Sequence, residues 1–307
     1  MSPASTEQFL LEQYTGHPAS QLQDLRKALY QSVFGCEHLI TDTSAAAEGI
    51  RREAAEAGPC SREIEALDGP WSRVQLGVLA DGLTPETLSR MFARSAAMSH
   101  GDADALQEKL TVLRRLIRSG ALPYSPAEAD AELDDWRKNG FPVCRHSEEY
   151  RAAYRPAYRV LHRTYVRLLP LLAAIDQALA ENPRVLLAIE GGAASGKSTL
   201  ADLLTAIYPD TALFHADDFF LRPEQRTAAR YAQPGGNLDR ERLESEILIP
   251  ISRNEAAVYR LFDCRTLSLR EPVTVLPGRL NIVEGSYSFH PELARYYDLS
   301  VFLDISP

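Results

Sequence analysis

The stretch that decides the fold reads Val185-Leu186-Leu187-Ala188-Ile189-Glu190-Gly191-Gly192-Ala193-Ala194-Ser195-Gly196-Lys197-Ser198. An unbroken apolar run enters a glycine pair, the pattern of a strand buried on both faces of a parallel sheet. Leu200, Leu203, Leu204 and Ile207 then recur at helical spacing. A second strand is expected at Ala212-Leu213-Phe214, with two more at Leu280-Asn281-Ile282-Val283 and Leu299-Ser300-Val301-Phe302-Leu303. Strands alternating with helices predict a doubly wound parallel α/β sheet.

Upstream the pattern is different. Leu22, Leu25, Leu29 and Val33 share a helical face, as do Leu106, Leu110, Leu113 and Ile117 ahead of Gly120. Thr84-Pro85-Glu86 and Ser147-Glu148-Glu149 read as helix starts, each with a capping hydroxyl and acids near exposed amides. The expected organisation is a mostly helical domain over 1–180 and an α/β domain over 181–307, the change falling near Glu181-Asn182-Pro183.

The 307 residues are 45% hydrophobic and 24% charged, which excludes a disordered chain, a collagen-like chain and a small disulfide scaffold. A net charge of −9 argues against a general attraction to nucleic acid or anionic lipid. Cys36, Cys60, Cys144 and Cys264 form no CxxC pair and read as free thiols. Met1-Ser2-Pro3-Ala4-Ser5-Thr6-Glu7 lacks the basic and apolar regions of a secretory signal, and no apolar run approaches the roughly 20 residues that span a bilayer. A cytoplasmic protein with a small-molecule substrate is expected, and a homo-oligomer is compatible with the sequence.

Gly191 to Ser198 satisfies G-x-x-x-x-G-K-[ST], with a strand before it and a helix after it. Glycines let the backbone turn tightly so that successive amides point at phosphate oxygens, and a helix N-terminus adds positive potential. Gly191, Gly192, Ala193, Ala194, Ser195, Gly196, Lys197, Ser198 and Thr199 are therefore the expected nucleotide-binding residues. Lys197 would reach the β- and γ-phosphates of ATP, and Ser198 would offer its hydroxyl to Mg²⁺.

Two acids stand where strands end. Asp217, in His215-Ala216-Asp217-Asp218-Phe219-Phe220, follows the second strand, at the sheet edge where α/β proteins bind ligands. It is the candidate base for a substrate hydroxyl and a candidate magnesium ligand, against the plainer role of a capping acid. Glu284, in Ile282-Val283-Glu284-Gly285, is the second candidate magnesium ligand, against a solvent-facing glutamate.

With these pieces the stretch from about Arg184 to Pro307 resembles the uridine kinase/phosphoribulokinase group of P-loop kinases. The matching residues are Gly191–Ser198, Asp217-Asp218-Phe219-Phe220, Asn237-Leu238-Asp239, Tyr259 and Val283-Glu284-Gly285-Ser286-Tyr287. The resemblance implies a P-loop fold, use of ATP and Mg²⁺, and transfer of the γ-phosphoryl group to a hydroxyl. By it, Asp217 corresponds to the group's base and Glu284 to its second magnesium-associated acid. Asp239 matches the residue that holds ribose hydroxyls, and Tyr259 an aromatic that packs on the base. The residues themselves leave a capping Asp239 and a core Tyr259 open.

Two departures are visible. Where pyrimidine nucleoside kinases carry a histidine soon after that tyrosine, this chain has Cys264, which cannot replace an imidazole as a hydrogen-bond partner. A strand like Leu299–Leu303 leads in the group to a lid bearing arginines, and no residue here matches it. Either a longer chain or another segment is then expected to supply the cations. Arg151, Arg155, Arg159, Arg163 and Arg167 recur every fourth residue beside Tyr150, Tyr154, Tyr158 and His162, with Pro156 among them. They form either a phosphate-binding stripe or a solvated helical face. His38 and His146 have no evident metal or nucleophile partners, and His290-Pro291 reads as a helix start.

The expected function is an ATP-dependent kinase acting on a small nucleoside or sugar-like alcohol. The alternative is an ATP-binding regulator whose helical domain reports occupancy to a partner. A water-using NTPase is the third reading, and no segment resembles a switch that would position the water.

Overall fold

A computed structural model describes residues 3–35, 42–58 and 61–304. Cys36, His38, Cys60 and the terminal Ile305-Ser306-Pro307 lie outside the described residues. The chain divides into two units, Met1–Ala173 and Ala174–Pro307.

The first unit holds helices α1 (Pro3–Gly16), α2 (Leu22–Phe34), α3 (Thr43–Ala57), α4 (Pro85–Ala97), α5 (Ala103–Arg118), α6 (Pro126–Lys138), α7 (Glu148–Tyr154) and α8 (Arg163–Val166). Leu25 and Leu29 of α2 and Leu106, Leu110, Leu113 and Ile117 of α5 meet in one core with Trp71 and Trp136. Each fully buried leucine contributes roughly 1.5–3 kcal/mol. Thr84 accepts from Thr87 N to cap α4, and Ser147 accepts from Tyr150 N to cap α7.

This unit is not purely helical. Strands β1 (Ile64–Ala66), β2 (Trp71–Gln75) and β3 (Tyr158–His162) form an antiparallel sheet in that order. The strands are too short to show a period of two, and β2 is buried along nearly its whole length, so no alternation marks it. The arginine series is thereby dispersed. Arg155 ends α7 in a left-handed conformation, Pro156 cannot continue a helix, and Arg159 lies on β3, paired with Glu53 at 2.7 Å. Arg151, Arg155, Arg159, Arg163 and Arg167 therefore form no single stripe.

Helix α9 (Leu169–Glu181) precedes β4 (Val185–Gly191), and α10 (Lys197–Ile207) follows it. Next come β5 (Thr211–His215), β6 (Ala257–Asp263), β7 (Ser268–Val275), β8 (Leu280–Glu284) and β9 (Leu299–Leu303). Four of these make a parallel sheet in the order β5-β8-β4-β9, and β6 and β7 make an antiparallel hairpin. The register aligns His215, Glu284 and Ile189 in one row at the C-terminal edge. Helical backbone runs from Arg240 to Ser252 with a π-helical turn at Glu244–Leu248, just before Pro250, whose missing N–H breaks the regular ladder.

His290-Pro291 starts no α-helix. The chain makes turns and a single 3₁₀ turn, Ala294–Tyr296, because Asp298 is already tied to β4, with its carboxylate accepting from Leu186 N at 2.7 Å. No helix among the described residues is long and apolar enough to cross a membrane.

Candidate functional site

The loop Gly192–Gly196 leaves the end of β4 and enters α10. Two of its residues are left-handed: Ala194 at φ 59° and Gly196, the N-cap of α10, at φ 92°. Glycine holds the second at no steric cost, which lets the first-turn amides of α10 open toward the loop. Ser195 Oγ is buried with no hydrogen-bond partner among the described residues. Lys197 folds back across the loop, with Nζ donating to the carbonyls of Gly191 (3.1 Å) and Gly192 (2.8 Å).

Glu284 joins three elements. Its Oε1 accepts from Ser198 Oγ at 3.1 Å and from His215 Nδ1 at 2.6 Å, and the residue is 6% exposed. The hydrogen bond from His215 holds the Glu284 carboxyl below its ordinary range, against burial and with help from Ser198 and Lys197. The same bond raises the His215 imidazole, again against burial. Gly285 allows the strand ends to meet so closely, because a Cβ there would sit 2.6 Å from Ala216 Cβ. The sequence held no signal that His215 would join this cluster; only the register across β5, β8 and β4 brings it there.

Asp217 and Asp218 lie on a 3₁₀ turn, Ala216–Phe219, directly past β5. Asp217 is exposed, and Asp218 is half-buried. Burial pushes the Asp218 carboxyl up, His215 opposes this and Asp217 adds to it.

Asp239 caps the helical stretch that starts at Arg240, with Oδ1 accepting from Arg242 N at 3.3 Å. It is 1% exposed, and its Oδ2 has no partner among the described residues. Tyr259 stands in the core of this unit, stacked on Phe219 at 5.6 Å and edge-on to Phe214. Phe220, Arg226, Asn237, Phe262 and Cys264 line a cavity of about 310 Å³ whose walls include neither Asp239 nor Tyr259. Arg226 lies over the Phe262 ring, a pairing that no periodicity or motif marks.

Among the described residues no group of three or more His, Cys, Asp or Glu side chains is arranged for a metal. The adjacent oxygens of Ser198 and Glu284 nevertheless fit magnesium, a hard cation that keeps several waters and takes few protein oxygens. Transition metals that demand nitrogen or sulfur ligands find no such set here.

No protein-family model matches the chain, and no curated protein sequence does. Among solved structures, a possible uridine kinase from Bacillus stearothermophilus is similar over 44% of this chain and 82% of its own, at 21% identity and a TM-score of 0.37. The likeness is too slight to bear on activity.

Proposed function

We propose that this chain is a P-loop phosphotransferase that moves the γ-phosphoryl group of ATP to a hydroxyl of a small polar metabolite. The observation that carries the reading is the contact of Ser198, in the first turn of α10, with Glu284 at the end of β8, at the mouth of a loop with the phosphate-binding sequence. A glycine-rich turn with a purely structural role has no need of a carboxylate buried against its serine.

The loop amides and the α10 N-terminus bind the phosphates, and Lys197 leaves the loop carbonyls to meet the β- and γ-oxygens. Ser198 and Glu284 would hold magnesium, with Asp217 a further candidate ligand past the end of β5, and the ion would neutralise phosphate charge when bound. Asp217 accepts the proton of the acceptor hydroxyl as that oxygen forms its bond to the γ-phosphorus. The bond to the β,γ-bridging oxygen breaks, and ADP leaves with the electron pair. The acceptor would lie in the cavity lined by Phe220, Arg226 and Phe262; Asp239, which does not line it but has an unpartnered Oδ2, is the candidate to take a hydroxyl donor, and Tyr259 packs on Phe219 behind.

The test is Mg·ATP-dependent ADP release against a panel of nucleosides, sugar phosphates and small alcohols, with Lys197→Ala and Asp217→Asn. One acceptor should raise the rate, and both substitutions should abolish the gain. ATP binding with no acceptor-dependent turnover would overturn the phosphotransferase reading in favour of a nucleotide-binding regulator.

A further inference from the structure

The first unit contains a cavity of about 400 Å³ whose walls include Tyr30, Phe92 and Tyr158 and whose polar groups include Lys27, Gln31 and His146. Protein interiors rarely leave such a volume unfilled, and it falls in the range of small-molecule sites.

The polar wall is held by a chain of hydrogen bonds from behind. Asp24 Oδ1 accepts from His146 Nδ1 at 2.8 Å and from Ser147 N at 3.0 Å, and its Oδ2 accepts from Ser147 Oγ and Gln21 N. His146 Nε2 then accepts from Tyr158 Oη at 2.6 Å, and Tyr158 Oη in turn accepts from Gln31 Nε2 at 3.3 Å. Gln31 Oε1 accepts from Nε of the buried Arg73 at 2.8 Å. Burial keeps His146 neutral by pushing it down to about 4, so the tautomer is fixed by its two partners. Tyr150 stacks on the imidazole at 4.1 Å and stops it turning. Such backing is what a rigid binding wall requires.

The charges at the cavity are not balanced in the same way. Arg159 is paired with Glu53 at 2.7 Å, and Arg73 with Glu65 at 3.2 Å. Lys27 makes one hydrogen bond among the described residues, to the Cys144 carbonyl at 2.8 Å, and no ion pair. An ammonium has three donors, so two remain for the cavity. Burial disfavours its charge, Cys144 and Asp24 oppose this, and Arg73 adds to the penalty. An arriving anion would relieve that penalty.

We propose that this cavity is a binding site for a small aromatic carboxylate, with the carboxylate on Lys27 and the ring between Tyr30, Phe92 and Tyr158. An ammonium with no ion pair among the described residues, beside guanidinium groups that already face Glu53 and Glu65, suits one negative charge better than a phosphate dianion. The site belongs to the first unit alone and does not depend on the phosphotransferase reading.

The experiment is calorimetric titration of the full chain with matched probes: nicotinate and benzoate, their neutral amides nicotinamide and benzamide, and phenyl phosphate. The acids should bind on the order of tenfold tighter than the amides, the worth of one charge-assisted contact. Lys27→Met should abolish that preference, Phe92→Ala should weaken acid and amide alike, and Lys197→Ala should change neither. In the unaltered chain nicotinate, and not nicotinamide, should slow reductive methylation of Lys27, which tests the site even if a variant does not fold. No binding, equal binding of acid and amide, preference for phenyl phosphate, or loss of binding in Lys197→Ala would each overturn the proposal.

Discussion

His215 Nδ1 donates to Glu284 Oε1 at 2.6 Å, from the residue directly opposite it in the parallel register of β5 and β8. The same oxygen receives the Ser198 hydroxyl, so the histidine sets where the carboxylate points before any ligand arrives. Groups that orient a metal-binding carboxylate are commonly worth 10–100-fold in metal affinity. His215→Leu should therefore raise the magnesium concentration for half-maximal turnover by about tenfold. His215→Gln, which keeps a donor, should raise it less. A magnesium titration at saturating ATP reads the effect, and an unchanged midpoint in His215→Leu would remove the histidine from the site.

Gly285→Ala should be disruptive out of proportion to its size. The added methyl would lie 2.6 Å from Ala216 Cβ and 3.3 Å from Ala216 N, and the backbone sits at φ 146°. Overpacking and backbone strain together should destabilise the α/β unit by about 1–3 kcal/mol. A lowered urea midpoint with unchanged slope is the expected signature. A midpoint equal to the parent's would show that the strand ends part easily.

Two roles for Asp239 separate by substitution. Asp239→Ala removes the cap on Arg242 N and should cost about 1 kcal/mol of stability. Asp239→Asn keeps a capping oxygen and alters the Oδ2 position that lacks a partner. If that oxygen holds the acceptor, Asp239→Asn should raise the acceptor KM on the order of tenfold while melting near the parent. A KM unchanged in Asp239→Asn would leave the residue as a cap and nothing more.

The first unit should lose stability on mild acidification. His146 is held down to about 4 by burial, while its unfolded form titrates near the ordinary 6.5. Below 6.5 the unfolded chain therefore takes a proton that the folded chain refuses, and stability falls as the pH drops from 6.5 to 4. The loss should be about 2–3 kcal/mol. Asp24 acts lower on the scale. Burial would raise it, but hydrogen bonds from His146, Ser147 and Gln21 bring it to about 2, so its contribution is present above its ordinary 3.8 and disappears toward 2. Urea midpoints at pH 7, 5.5 and 4.5 follow the first of these losses, which His146→Asn should flatten.

Much of the α/β unit was legible because its signals are local. The run Val185–Ile189, the glycine pair and the helical spacing after Lys197 lie side by side in sequence, and the strands at Ala212, Leu280 and Leu299 each announce themselves by composition. What was not legible depends on partners far away. Trp71–Gln75 becomes a strand because Tyr158–His162 lies beside it, and neither segment alternates enough to say so. The arginines at 151 through 167 have flawless helical spacing, yet Arg155 and Pro156 break the helix between them. His146 looked isolated because Asp24, its partner, is distant in the chain and adjacent only in space. The proposed acceptor cavity was hidden in the same way, since Phe220 and Arg226 meet Phe262 of β6 only in space and no motif links them.

The sheet order carries a consequence for how the chain is made. β4 emerges from the ribosome well before either of its neighbours, β8 and β9, and its apolar side chains are almost all buried only once those neighbours are in place. A Cβ at Gly191 would lie 2.7 Å from the carbonyl of Leu303, so the base of the loop is shaped by a strand made more than a hundred residues later. Until then Val185–Ile189 is a sticky, unpaired segment of a nascent chain, and the order of translation, not the strength of the motif, sets when the glycine-rich loop can first take its shape.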